Sequence, residues 1–225
     1  MRTLFVTASG TAVGKTFVAA ALARALAQAG KRVAPVKPVI SGFAWETAAE
    51  SDTAILLASV GIEPTRDAIE AASPWRFAAP LAPDMAAKRE GRGLDFAALV
   101  KFCRDAGEGD ADLLLIEGVG GVMATLDDAH TVRDWIAAIE APALLVVGSY
   151  LGAISHALTA VAALAAGGVV IAGVVVDETA GSTVPLADTA ASLKRFLPRR
   201  LPLATVERDA GAGAVLRAVK PMLTV

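Results

Sequence analysis

Unbroken apolar runs recur along the chain at residues 4–7, 33–36, 113–116, 144–147 and 169–176. They are rich in Val, Leu and Ile and do not alternate with polar residues, the pattern of strands covered on both faces. Ala-rich windows between them predict helices. One, over 17–29, follows Gly14-Lys15-Thr16 and ends at Gly30; a second, over 51–60, starts at Ser51-Asp52 and ends at Gly61; a third, over 153–166, runs into Gly167-Gly168. Strands alternating with helices imply an α/β fold, a mostly parallel sheet flanked by helices on both faces. Residues 73–93 carry three prolines and two glycines and read as a long irregular connection of functional or lid-like character. Near the end, a short strand or loop is expected around Pro202 and a last helix over 213–219.

Residues 141–176 contain no Asp, Glu, Lys or Arg, which raises the question of a membrane span. Pro142, Gly148, Ser149, Gly152, Gly167 and Gly168 cut the stretch into short pieces, and both flanks, Glu140 and Asp177, are acidic. Strand, helix and strand is the better reading. The length of 225 residues suits one domain spanning 1–225. With 55% hydrophobic and 20% charged residues and a net charge of -2, the chain is neither disordered nor a polycation that coats nucleic acid. A single cysteine, Cys103, and two histidines exclude a disulfide framework and a Cys/His zinc site of ordinary ligand count. The apolar start is too short for a signal peptide, so a reducing cytoplasm is expected. Trp45, Trp75 and Trp135 are too scattered for a nucleic-acid stacking platform and read as core or interface residues.

Ligands of an open parallel sheet bind at the carboxyl ends of its strands. After the first run comes Ser9-Gly10-Thr11-Ala12-Val13-Gly14-Lys15-Thr16, a loop between strand and helix. Ser9 stands where the strict GxxxxGK[ST] pattern has its first glycine. The physical parts of a phosphate loop remain: successive backbone N–H groups, a helix N-terminus, a mobile cation at Lys15 and a hydroxyl for Mg²⁺ at Thr16. The second run leads to Lys37-Pro38-Val39-Ile40-Ser41-Gly42, placing another cation at the same mouth. The third closes with Glu117-Gly118-Val119-Gly120-Gly121, a carboxylate ending an apolar strand as a Mg²⁺ ligand does. Asp52 is either a second metal carboxylate or a helix cap. His156 reads as a hydrogen-bonded structural residue on an apolar helix, and Cys103 as an unreactive helix-face residue.

In order and spacing these motifs resemble the dethiobiotin synthetase family. The likeness covers about residues 3–178 and is carried by Val6–Thr16, Lys37–Gly42, Ser51-Asp52, Phe77-Ala78-Ala79-Pro80 with Pro83, Glu90-Gly91-Arg92, Glu117–Gly121, Asp134-Trp135 and Leu145–His156. The resemblance implies an ATP-dependent cyclo-ligase. In that family an amine of 7,8-diaminononanoate takes up CO2 to form a carbamate, the carbamate attacks the γ-phosphate of ATP, and the second amine closes the cyclic urea. It also implies roles. Lys15, Lys37 and Thr11 are the catalytic residues, with Thr11, Lys37 and Ser41 on the carbamate. Ala12, Val13, Gly14, Lys15, Thr16, Phe17, Asp177 and Pro202 hold the nucleotide, and Thr16, Asp52 and Glu117 hold Mg²⁺. Leu151, Gly152 and Ser155 meet the substrate's carboxylate end across a homodimer interface. No nucleic acid or membrane partner is implied.

The chain departs from the family pattern at Ala8-Ser9, at Ala12 where an acidic residue is frequent, and at Tyr150 and Ser155 where lysine and asparagine are common. Asp177-Glu178 replaces Asn-Asp at the base-reading position. An ionised aspartate only accepts hydrogen bonds, so CTP or GTP is expected to compete with ATP. Two other classes share parts of the pattern. A positioning ATPase of the MinD/ParA type has an early lysine in its loop, which this chain lacks, and a basic amphipathic tail, where residues 210–225 offer only Arg217 and Lys220 and are broken by Pro221. An amidotransferase of the cobyrinic-acid synthase type needs a glutaminase domain with a nucleophilic cysteine, for which 225 residues leave no room.

Overall fold

The computed structural model describes residues 2–223; the ends of the 1–225 expectation lie outside them. Six parallel strands form the main sheet: β1 (Arg2–Ala8), β2 (Val33–Val36), β5 (Leu113–Glu117), β6 (Ala143–Gly148), β7 (Ile171–Asp177) and β8 (Leu203–Val206), in the order β2-β5-β1-β6-β7-β8. Two short parallel strands, β3 (Val39–Ser41) and β4 (Trp75–Phe77), form a second sheet. The helices are α1 (Lys15–Gln28), α2 (Asp52–Ser59), α3 (Arg66–Ala72), α4 (Pro83–Arg89), α5 (Phe96–Gly107), α6 (Val132–Ala138), α7 (Ala153–Ala166), α8 (Leu186–Phe196) and α9 (Ala212–Val219).

The unbroken apolar runs have a direct cause. Alternate residues of each central strand enter two different cores: Phe5, Leu114, Ile116, Leu145 and Val174 lie on one side, and Leu4, Val6, Leu115, Leu144 and Val175 on the other. The first core holds Trp135, fully buried, with its ring edge-on to Phe5 at 4.8 Å. The second is closed by the small residues of α1, among them Ala19, Ala20 and Ala23, and by Val215 and Val219 of α9. Alanines let α1 lie close against the sheet, and that anchors the start of the helix where the phosphate loop ends. Among the described residues no helix is long and apolar enough to cross a membrane.

The stretch 73–93 is more regular than its prolines suggest. Trp75, Arg76 and Phe77 pair with Val39, Ile40 and Ser41, and Pro83 opens α4 at a first-turn position where its missing N–H costs nothing. The Glu90 carboxylate accepts from Ala78 N–H at 2.6 Å, and the Arg92 guanidinium sits 4.9 Å from the Phe77 ring centre. A three-residue strand is too short to register as a periodic pattern. Elsewhere Trp75 packs edge-on to Phe102, and Trp45 packs on Phe43 with the Arg66 guanidinium 4.3 Å from its ring centre.

Candidate active site

The carboxyl ends of the strands open into a cleft of about 1430 Å³. Its floor is the loop between β1 and α1. Ala12 and Gly14 both adopt left-handed backbone conformations, φ 57° and 86°; alternation of this kind turns consecutive N–H groups toward one point and makes an anion nest. For Ala12 the conformation costs on the order of 1 kcal/mol, held in place by the surrounding loop. At Gly14 a side chain is excluded twice, by φ and by the Asp177 carboxylate lying where a Cβ would stand. The loop is tied to its neighbours by Ser9 N–H to Val146 C=O and Val122 N–H to Ala8 C=O, at 3.0 and 2.9 Å.

Lys37 sits at the junction between the two sheets. Pro38 ends the ladder of β2, and the chain crosses to β3. The Lys37 backbone is gripped on both sides: its N–H donates to Ala72 C=O at 3.1 Å, and its own C=O accepts from Ser73 Oγ at 2.6 Å. The Lys37 ammonium then reaches Glu117 Oε1 at 2.7 Å and Asp52 Oδ2 at 3.0 Å. Thr16 Oγ1 donates to the same Glu117 oxygen at 2.7 Å, and Lys15 Nζ lies 3.8 Å from it. Asp52 is therefore the partner of a lysine; Ser51 does the capping, accepting from Ala54 N–H at 3.2 Å.

The two ammonium groups differ in character. Burial, joined by repulsion from Lys37, pushes Lys15 below its ordinary pKa, and Glu117 and Asp52 offset this only in part. Burial also acts against a charged Lys37, but its two carboxylates together outweigh it and hold its pKa above the ordinary value. Asp52 feels burial first as well, yet Lys37 and then Lys15 bring its carboxyl below the usual range. Lys37 is thus a fixed cation, whereas Lys15 gains most from an arriving anion.

Thr16, Asp52 and Glu117 converge, and Glu117 Oε2 is buried with no hydrogen-bond partner. An orphaned carboxylate oxygen beside a hydroxyl and a second carboxylate fits Mg²⁺, which takes one or two carboxylates and completes its shell with water and phosphate oxygens. Among the described residues no group of three His, Cys, Asp or Glu offers an all-protein metal cage.

Thr11, Ala12, Val13, Gly14, Lys15, Thr16, Phe17, Lys37, Ser41, Asp52 and Asp177 all line the cleft, with Glu117 fully buried behind Lys37. Ser41 Oγ and Ser9 Oγ are buried without a partner. Leu151, Gly152 and Ser155 are exposed at the amino end of α7, outside the cleft wall. Pro202 corrects the sequence expectation. It precedes β8, its C=O accepting from Val174 N–H at 2.9 Å, and so lies at the amino end of a strand whose carboxyl end faces the site. The residues that β8 delivers to the cleft are Arg208 and Asp209.

The sequence reading also missed a polar stripe on α7. His156 and Thr159 are exposed and line the cleft, and His156 Nδ1 is 2.8 Å from the Tyr150 hydroxyl. His156 is hydrogen-bonded as expected, but on an open face rather than an apolar one. The signal was available: Ser155, His156 and Thr159 are polar at helical spacing in an otherwise apolar segment. Ser149 and Thr179 tie the ends of β6 and β7 together, each backbone N–H donating to the other's hydroxyl at 3.0 Å.

Comparison with known proteins accords with this geometry. The family model described as an AAA domain matches residues 2–212. The ATP-dependent dethiobiotin synthetase BioD of Acidiphilium cryptum is 47% identical over 88% of this chain and 89% of its own. The protein of the same name from Caulobacter sp. strain K31 is 46% identical over 98% and 97%. Among solved structures, MinD of Pyrococcus furiosus has a TM-score of 0.59 at 16% identity, covering 99% of both chains. For the signal recognition particle receptor FtsY of Elizabethkingia anophelis the TM-score is 0.56 at 14% identity, and this chain spans 65% of that one. Likeness at such identities shows a shared P-loop fold alone, whereas the curated relatives, alike over nearly their whole length, show that the chain belongs to the ATP-dependent dethiobiotin synthetase family.

Proposed function

We propose that this chain, as one domain spanning 1–225, is a dethiobiotin synthetase: an ATP-dependent ligase that joins CO2 to 7,8-diaminononanoate and closes the cyclic urea, releasing ADP and phosphate. The observation that carries the reading is the Lys37 ammonium fixed between Glu117 and Asp52 beside a phosphate loop, in a chain 46–47% identical to synthetases of that name.

One amine of the substrate adds to CO2 and loses a proton, giving a carbamate. The carbamate oxygen attacks the γ-phosphorus and ADP leaves. The second amine attacks the carbamoyl carbon and phosphate leaves. The substrate supplies its own nucleophile, so the protein's contribution is positioning and charge neutralisation. Lys37, held charged, faces the carbamate and the transferring phosphoryl group. Lys15 pairs with the phosphates as they arrive. Thr11 and the unpartnered Ser41 hydroxyl donate to the carbamate, and the nest over Ala12–Thr16 holds the phosphates, with Phe17 following. Thr16, Asp52 and Glu117 would hold Mg²⁺, which supplies charge neutralisation for the phosphates.

The amino end of α7 supports a homodimer as the working unit. Leu151 is 92% exposed, an apolar side chain that gains by being covered by a second copy. Leu151, Gly152 and Ser155 of that rim would take the substrate's carboxylate end. The chemistry needs no membrane and no nucleic acid, and suits the cytoplasm.

The test is phosphate release and product mass with Mg-ATP and bicarbonate, with and without the diamine. Diamine-dependent release, with a product heavier by one carbonyl and lighter by two hydrogens, is expected. Diamine-independent hydrolysis would overturn the reading.

A further inference from the structure

The two poles of the cleft differ in chemistry. Lys37 and Glu117 end the β2–β5 side of the sheet, and the phosphate loop follows β1. A nucleotide whose terminal phosphate lies at that pole must extend toward β7 and β8, β7 being two strands from β1 or about 10 Å at ordinary strand spacing. The side chain waiting there is Asp177. It is only 7% exposed, it lines the cleft, and its Oδ1 is buried with no hydrogen-bond partner. A buried unpartnered acceptor is costly unless a ligand completes it.

The charged groups around it are few. Glu178 follows it on the chain; Arg208 and Asp209 come from the segment after β8. The phosphate loop turns Gly14 backbone toward it, while that loop's Lys15 ammonium is directed to Glu117. Burial is the largest influence and Arg208 opposes it, while Glu178 adds to it; together they push the Asp177 carboxyl up to about 7. Both protonation states are thus populated near neutrality, which revises the sequence expectation of a permanently ionised side chain.

The two states read different bases. A neutral carboxyl donates through its O–H and accepts through its C=O, as an amide does. It matches the adjacent N6 amino donor and N7 acceptor of adenine. A carboxylate has two acceptors and no donor, and matches the adjacent N1–H and N2 amino donors of guanine. We propose that gain or loss of the Asp177 proton switches the preference of this synthetase between adenine and guanine. The inference rests on the proposed function only for the reaction that follows; base reading itself is a binding property.

The experiment is calorimetric titration of the full chain with ADP and with GDP at pH 6.0 and 8.5, in parallel with the Asp177→Asn variant. The ratio of the two affinities cancels the titration of the phosphates they share. In the native chain that ratio is expected to move toward GDP by roughly tenfold or more between the two pH values, as one group titrates near 7. In Asp177→Asn it should favour ADP and stay flat. A flat ratio in the native chain, or an equal pH response in the variant, would overturn the proposal. If the ratio switches but phosphate release ignores the diamine, base reading stands and the synthetase reading falls.

Discussion

The Lys37 ammonium lies 2.7 Å from the carboxylate of Glu117, which is wholly buried, and that carboxylate is the largest influence holding Lys37 charged there. Breaking a buried pair by removing one partner costs about 3–5 kcal/mol, because the remaining charge is stranded. Lys37→Ala is therefore expected to lower turnover on the order of a hundredfold, the loss of one preorganised donor, and also to lower the melting temperature. Adding Glu117→Gln should recover most of the stability and none of the activity. A double variant no more stable than Lys37→Ala would show that the pair is not coupled in this way.

Asp177 gives the stability a pH dependence of defined sign. Its folded-state pKa of about 7 stands above the ordinary 3.8. Between those values the native state keeps a proton that the unfolded chain has released, so this contribution to stability is present below about pH 4 and lost as the pH rises through 7. Asp177→Asn should then raise the melting temperature more at pH 8 than at pH 5, by a few degrees. Equal shifts at both pH values would count against it.

Cys103 lies on the buried face of α5, and burial, offset slightly by the Trp135 indole beside it, pushes its thiol up to about 12. The thiolate is the reactive form. A disulfide-exchange reagent at pH 8 should leave the native chain unmodified and label one thiol once denaturant is added. Rapid stoichiometric labelling of the native chain would place Cys103 outside the core.

Leu151 stands free at the rim of α7. In the proposed dimer, Leu151→Glu puts a charge into the contact. Sedimentation should show a monomer, and the KM for the diamine should rise by about tenfold or more, as for a central interface residue. An intact dimer with unchanged KM would move the substrate's carboxylate end elsewhere.

The central strands were legible because burial on both faces imposes a composition that polar residues cannot imitate; β2 lies at Val33–Val36 and α7 at Ala153–Ala166, as the sequence expectation has them. The phosphate loop was legible for a similar reason, since few sequences place Gly-Lys-Thr between an apolar strand and an Ala-rich helix. Residues 73–93 were not, because β4 has three residues and takes its regularity from pairing with β3. Pro202 was misplaced since sequence carries no sign of which end of a four-residue strand a neighbour occupies. Arg208 was missed because an arginine in a polar segment looks the same whether it faces bulk water or a cleft. The raised pKa of Asp177 was hidden for a comparable reason, its cause being burial in a fold that brings the Gly14 backbone, 163 positions away by residue number, against the carboxyl.

The grip on the Lys37 backbone reaches further than the cleft. Ser73 Oγ, which donates to Lys37 C=O, also lies 2.6 Å from Thr53 Oγ1, and both hydroxyl residues are sealed from solvent. Neither lines the cleft. A survey that ranks natural variants by distance from the ligand would grade Ser73 and Thr53 as neutral. Yet loss of either hydroxyl loosens the peptide that carries the fixed cation, and a displacement of 1 Å there is enough to impair transfer. Inherited loss of this activity can thus arise at positions that an inspection confined to the cleft would clear.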